Sequence, residues 1–259
     1  MLRVVAVSVA FAAITFTLIP VQWVAVALKL PLRRKLPVFY HRMLCKLLRV
    51  RITVVGEPCR DAPLLIASNH VSWLDIPVLT ALAPVVFVAK REVASWPLFG
   101  LLAKLQRSVF VERERRSRTA KTNRDIAVRL AEGDPVVLFA EGTSSDGNRV
   151  LPFRSSLIGA LHATMRERGA AQVHVQPLAI AYARVDGIPA GRQHRPLVAW
   201  YGGMDLLPHL AGVMRRSAID VTVAWGPALP CDLATDRKAL AASLEATVRR
   251  LRADALQQS

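Results

Sequence analysis

Residues 64–82 read LLIASNHVSWLDIPVLTAL, and the way this passage divides sets the fold. Leu64 to Ala67 is a short apolar run of the kind that forms a buried strand. Asn69 to Leu74 is a polar and aromatic turn, and from Asp75 the pattern Ile76, Pro77, Val78, Leu79 opens an apolar helix with proline in its first turn. A strand end that feeds a helix start is where α/β proteins place reactive groups. Outward from it, the same reading gives strands at Arg51 to Val55, Val85 to Ala89, Val109 to Val111, Val136 to Phe139, Val173 to Tyr182, Leu197 to Trp200 and Val221 to Trp225. Helical spacing joins Leu157, Leu161 and Met165 before Gly169, and Leu240, Leu244, Val248 and Leu251 near the C-terminus. This alternation predicts an α/β domain whose mostly parallel or mixed sheet is flanked by helices. Residues 51–259 contain no repeat, low-complexity tract or linker, and are expected to fold as one domain.

Residues 1–50 have another character. From Val4 to Leu28 the chain is almost wholly apolar, long enough to cross a hydrocarbon core, with Pro20 and Gln22 as the strong interruptions. Arg3 precedes this run while Lys29, Arg33, Arg34, Lys35, Arg42 and Lys46 follow it, so the positive-inside rule puts the downstream domain in the cytoplasm. Pro20 leaves two arrangements open: one kinked span, or two shorter helices with the first in the membrane interface. A signal peptide ending near Ala25-Val26-Ala27 is the rival, and the weakly charged start and the basic cluster beyond that point speak against export.

The chain carries 35 Lys and Arg against 19 Asp and Glu, a formal net charge of +16, which calls for an anionic partner. With 53% hydrophobic residues, few aromatics and a mean hydropathy of +0.31, anionic membrane lipids fit better than nucleic acid, for which no recognised motif occurs. Cys45, Cys59 and Cys231 are odd in number and lack metal-ligand spacing, which argues against a disulfide framework and a zinc site.

Chemistry concentrates at His70 and Asp75. An imidazole with an ordinary pKa near neutrality can take a hydroxyl proton if a partner fixes its tautomer and orientation. A tight turn can bring the carboxylate of Asp75 back to the ring of His70, as in a catalytic triad without its serine. The spacing alone allows a second reading equally well, with Asp75 as a helix N-cap and His70 as an ordinary loop residue.

Asn69-His70, four intervening residues and Asp75 resemble the first signature block of the lysophosphatidic acid acyltransferase family of glycerolipid O-acyltransferases. Further blocks follow in that family's order. Arg107-Ser108-Val109-Phe110-Val111-Glu112-Arg113 resembles the second, matching at Phe110 and Arg113, with Arg107 where a glycine is usual. Phe139-Ala140-Glu141-Gly142-Thr143 resembles the third, and Val175-Gln176-Pro177-Leu178-Ala179-Ile180 the fourth, centred on Pro177. Lys90 also matches a lysine common in the family. The resemblance covers about residues 60 to 185.

The resemblance implies a single acyltransferase domain over 51–259 behind an N-terminal membrane-associated helical segment, at the inner, cytoplasmic membrane. It implies that His70 and Asp75 catalyse, and that Lys90, Phe110, Arg113, Glu141, Gly142, Thr143, Ser144 and Pro177 serve substrate binding. It implies acyl transfer from acyl carrier protein or coenzyme A thioester to the hydroxyl of a lyso-lipid, with neither metal nor cofactor. One departure bears on the acceptor: Ser144 stands where an arginine often follows Glu-Gly-Thr to meet a phosphate. The sequence Glu141-Gly142-Thr143-Ser144-Ser145-Asp146-Gly147, with Asn148 to Phe153 after it, is more similar to the lyso-ornithine lipid acyltransferase branch. A lyso-ornithine lipid is therefore the expected acceptor, and lysophosphatidic acid the alternative.

Two other classes compete. Gly142-Thr143-Ser144 begins like the nucleophile elbow of a serine hydrolase, but Asp146 occupies the place of its closing glycine, and Ser72 lies inside the His70–Asp75 turn. A non-catalytic lipid-binding membrane protein would explain the N-terminus and the charge but not the ordered blocks. The charge-dense run from Glu112 to Arg124 reads, Arg113 apart, as a solvated loop and helix start.

Overall fold

A computed structural model of the chain describes residues 2–61, 63–111, 119–155, 161–162, 165–166 and 172–257. The apolar N-terminal run forms one continuous helix through Pro20, α1 (Leu2–Ala27), and the basic stretch behind it forms α2 (Leu32–Leu47). The α/β region follows as β1 (Val50–Val55), β2 (Leu64–Ser68), α3 (Asp75–Leu82), β3 (Val86–Lys90), α4 (Phe99–Leu105), β4 (Val109–Val111), α5 (Thr119–Ala131) and β5 (Val136–Phe139). Beyond these come β6 (Val173–Val185), β7 (Ile188–Pro189), the helix Leu206–Arg215, β8 (Ile219–Trp225), β9 (Leu229–Cys231) and the C-terminal helix Arg237–Gln257.

The strands form one mixed sheet of order β1-β8-β6-β2-β5-β3-β4, with β7 and β9 pairing β6. From β6 to β4 every neighbour is parallel, and β1 is parallel to β8. The antiparallel pairs are those that β6 makes with β7, β8 and β9. Alternate residues of the central strands enter opposite cores, so they read as unbroken apolar runs rather than alternating ones. Leu64 and Ile66 of β2 pack with Leu48, Val78, Leu79 and Val213 from helices on one face, while Leu65 and Ala67 pack with Ile126, Leu130, Leu244 and Val248 on the other. Leu161 and Met165 join the second core, and Leu157 lies outside the described residues.

The expected strand at Leu197 to Trp200 is not one. Residues 195–197 make a 3-10 turn, and Val198 and Ala199 are fully buried in a loop whose amides return to the Arg195 carbonyl. Burial, not sheet pairing, made this run apolar; the Trp200 amide donates to the Val71 carbonyl at 2.9 Å and its indole to the Met204 carbonyl at 2.9 Å.

The chain leaves β2 for β3 on one side, and after β5, β2's neighbour on that side, it crosses to β6 on the other. The C-terminal ends of β2 and β5 therefore flank a topological switch point, where open α/β sheets bind ligands. His70 follows β2 by two residues, and Glu141 follows β5 by two.

Candidate active site

The turn after β2 brings His70 and Asp75 together. Nδ1 of His70 lies 2.7 Å from Oδ2 of Asp75. The same oxygen accepts the amides of Val71 at 2.7 Å and Ser72 at 3.0 Å, and Oδ1 accepts the hydroxyl of Tyr182 at 2.7 Å. Four donors satisfy a carboxylate with no solvent exposure, which is what a buried charge requires. Because the carboxylate accepts, the proton sits on Nδ1 and Nε2 is the free lone pair of His70. Asp75 is not an N-cap: Leu74 holds that position, and the carboxylate turns back to the preceding amides.

Burial first, and then the Asp75 charge, push the Tyr182 phenol well above its ordinary range, so it remains an O–H donor. The imidazole plane is set by Phe139, stacked on it at a centroid distance of 3.9 Å and 11°, with Phe87 stacked behind at 5.9 Å. Asn69 fastens the turn to β6, donating to the Ile180 carbonyl at 3.0 Å and accepting its amide at 2.8 Å.

Glu141 reaches across from the end of β5, and its Oε1 accepts the His70 amide at 3.0 Å. Burial pushes its carboxyl up to about 8, against the amides of His70 and Leu151; the Asp75 charge adds to the rise and Arg252 opposes it. Glu141 therefore keeps its proton to a higher pH than an ordinary glutamate does. Gly142 has φ of 75°, and a Cβ there would come 2.9 Å from Nε of Arg154. Its glycine serves a left-handed turn with the Arg154 side chain laid over it. Thr143 is exposed at the tip and Ser144 half-buried. Ser145 is buried, and both its amide and its hydroxyl donate to the His70 carbonyl, at 2.9 and 3.2 Å.

Lys90 is exposed at the C-terminal end of β3, on the same edge of the sheet as His70 and Glu141. Phe110 is half-buried on β4, paired in register with Ala89. Pro177 is buried in β6, opposite Ala67, at the point where the strand's other neighbour changes from β9 to β8. No ladder amide is needed there, and its carbonyl accepts the Gly226 amide at 2.9 Å. Arg113 lies outside the described residues. Arg107, at the glycine position of the second block, has φ of 65°, which explains why glycine suits that place. Its side chain is buried away from the dyad and bonded to Glu132 and Asp134.

The residues that sequence reasoning missed are Tyr182, Phe139 as the stacking plate, and Ser145. Tyr182 stands 107 positions from Asp75 and gave no local signal. Among the described residues no serine hydroxyl bonds the imidazole: that of Ser72 accepts the Leu74 amide at 3.3 Å, and that of Ser145 faces a carbonyl.

The imidazole and the buried carboxylate of Asp75 thus meet at the switch point of the α/β sheet, and among the described residues no serine hydroxyl joins them. Residues 51–181 match the family model for acyltransferases, and the chain belongs to this family as an acyltransferase. It is 51% identical over 255 residues to a lyso-ornithine lipid O-acyltransferase of Brucella abortus (strain 2308), covering 98% of this chain and 96% of that one. To a lyso-ornithine lipid O-acyltransferase of Rhizobium meliloti (strain 1021) it is 49% identical over 243 residues, covering 94% and 83%. The crystal structure of the 1-acyl-sn-glycerophosphate acyltransferase PlsC of Thermotoga maritima shares the fold with a TM-score of 0.67 at 21% identity, covering 98% of this chain and 96% of that one.

Proposed function

We propose that the protein transfers a fatty acyl group from an acyl carrier protein or coenzyme A thioester to the hydroxyl of a lyso-ornithine lipid, with His70 as general base. The observation that carries the mechanism is the 2.7 Å contact of His70 Nδ1 with an Asp75 carboxylate that four donors hold in place. Nε2 takes the acceptor proton, the hydroxyl oxygen attacks the thioester carbonyl, and the carrier thiol leaves with a proton returned from the imidazolium. Asp75 stabilises that imidazolium while it exists. The acceptor assignment is supported by the two relatives named above and by Ser144, which removes a cation from the third block. Lys90 and the Glu141–Ser144 loop are the proposed surroundings of the acceptor and donor; Arg113, outside the described residues, is assigned to acceptor binding by the family resemblance alone. Both thioester carriers are acidic, which suits a net charge of +16.

The proposed site of action is the cytoplasmic face of the inner membrane, on the charge asymmetry around α1. This helix is long and apolar enough to cross a bilayer. Its bonds to the rest of the chain, however, spread along its length: Ser8 to Met214, Thr15 with Tyr40, and Gln22 to the carbonyls of Arg33 and Leu105. A helix fastened this way lies along the rest of the chain with Val9, Phe16 and Trp23 exposed on its outer side, and these are the proposed lipid contacts.

The test is acyl transfer by purified protein with one acyl donor and two acceptors, lyso-ornithine lipid and lysophosphatidic acid. Wild type is expected to prefer the first, and His70→Ala to lose about a hundredfold to ten-thousandfold in turnover while staying folded. Near wild-type turnover in His70→Ala would remove the histidine from the mechanism, and a strong preference for lysophosphatidic acid would overturn the acceptor.

A further inference from the structure

Two arginines from outside the sequence blocks converge beside the dyad. Arg252 rises from the C-terminal helix, and its Nη2 donates to the Gly147 carbonyl. Arg195, in the 3-10 turn between β7 and β8, donates from Nη1 to Oδ1 of Asn148 at 2.8 Å, while its buried Nε has no hydrogen-bond partner among the described residues. Both acceptors are neutral. The two side chains line a small pocket whose walls include Val71 and Tyr182. Those two residues are also donors to Asp75, so the cavity shares a wall with the catalytic pair.

Bringing two guanidinium groups together is costly unless a negative charge joins them. Burial and then the Arg195 charge work against the charged form of Arg252, and the carboxyl groups of Glu141 and Asp146 offset them. Asp146 is itself occupied, accepting the Asn148 amide and side-chain nitrogen at 2.9 Å each. Gly147 permits the approach: its φ is 74°, and a Cβ there would stand 3.0 Å from Val71 and 3.7 Å from Arg195. The planar forks of two arginines, one of them with an unused N–H, match an oxyanion.

We propose that Arg195 and Arg252 form an anion subsite that receives the acidic group of the acceptor headgroup, a carboxylate in a lyso-ornithine lipid or a phosphate in lysophosphatidic acid. The subsite rests on the acyl-acceptor reading above and deepens it: the anion is held beside the dyad while the hydroxyl reaches His70.

The experiment compares charged and neutral members of each acceptor pair, using lyso-ornithine lipid against its carboxamide and lysophosphatidic acid against the matching monoacylglycerol. Wild type and the double variant Arg195→Gln/Arg252→Gln receive the same acyl donor. Loss of charge-assisted hydrogen bonds predicts that the preference for the charged member falls about tenfold to a hundredfold, carried by the KM of the charged acceptor. The pair in which this happens identifies carboxylate or phosphate as the anion. If wild type uses only the phosphate pair, the acceptor reading fails while the subsite is still decided on that pair. A preference unchanged from wild type would overturn the subsite. So would an equal loss of kcat on both members, because it would leave the arginines as clamps on the Gly147 and Asn148 loop. Should the Gln variant not fold, Arg195→Lys/Arg252→Lys keeps the charge without the fork and decides in the same way, by a reduced or an unchanged preference.

Discussion

Tyr182 is the residue whose removal tests how the dyad is held. Tyr182→Phe takes the donor from Asp75 Oδ1 and leaves a buried oxygen unpaired, which costs about 1–3 kcal/mol. Felt in the transition state, that is a loss of about tenfold to a hundredfold in turnover, measured with the acceptor at saturation. Glu141 gives a pH signature of its own. Its carboxyl is raised from 4.5 to about 8 in the folded chain, so between those values the folded state binds more protons than the unfolded one. The stability this contributes is complete below about pH 4.5 and is lost as pH rises through about 8. Urea denaturation should show wild type weakening across that window, by up to about 1.4 kcal/mol per pH unit, and Glu141→Gln weakening less. At this scale the sequence disclosed His70 and Asp75 because five positions and one turn contain them. Tyr182, Arg195 and Arg252 come to the same place only through the fold, and no spacing announces them.

At the scale of elements, the parallel strands were legible because both their faces are buried and their apolar runs are unbroken. The same signal misled at Leu197 to Trp200, where an apolar run is buried as a loop. β7 and β9, Ile188–Pro189 and Leu229–Cys231, each contain a proline and no β-branched run, so unlike the equally short Val109–Val111 they gave no strand signal. Arg107, just before β4, shows what sequence alone does not. It stands where glycine is usual, and its side chain closes an ion cluster with Glu132 and Asp134, to which Arg34 of α2 adds. Arg107→Ala is expected to destabilise the protein by about 3 kcal/mol, since Asp134 is almost wholly buried and among the described residues keeps only Arg34 as an ionic partner. The preference between lyso-ornithine lipid and lysophosphatidic acid should not move. A changed preference in a stability-matched assay would place Arg107 in the acceptor site.

For the whole molecule, the decisive relation is between α1 and the catalytic body, which the sequence left open at Pro20. The structure carries the helix through that proline and bonds it to the helix Leu206–Arg215, to α2 and to α4. Trp23 and Phe16 are exposed on its outer side, whereas Thr15 and Gln22 are buried on the inner one. Phe16→Asp/Trp23→Asp should therefore release the protein from membranes into the soluble fraction with its unfolding midpoint little changed. Retention after high-salt washing would assign the binding to other surfaces.

Trp73, within the His70–Asp75 turn, donates to Nδ1 of His209 at 3.0 Å, and His209 lies on the same helix that Ser8 of α1 touches through Met214. Two side-chain contacts thus link the dyad's own loop to the apolar helix α1. On the membrane placement proposed above, the enzyme would meet its acceptor in two dimensions: the lyso-lipid would travel within the leaflet instead of through water, and its supply would follow surface density rather than bulk concentration.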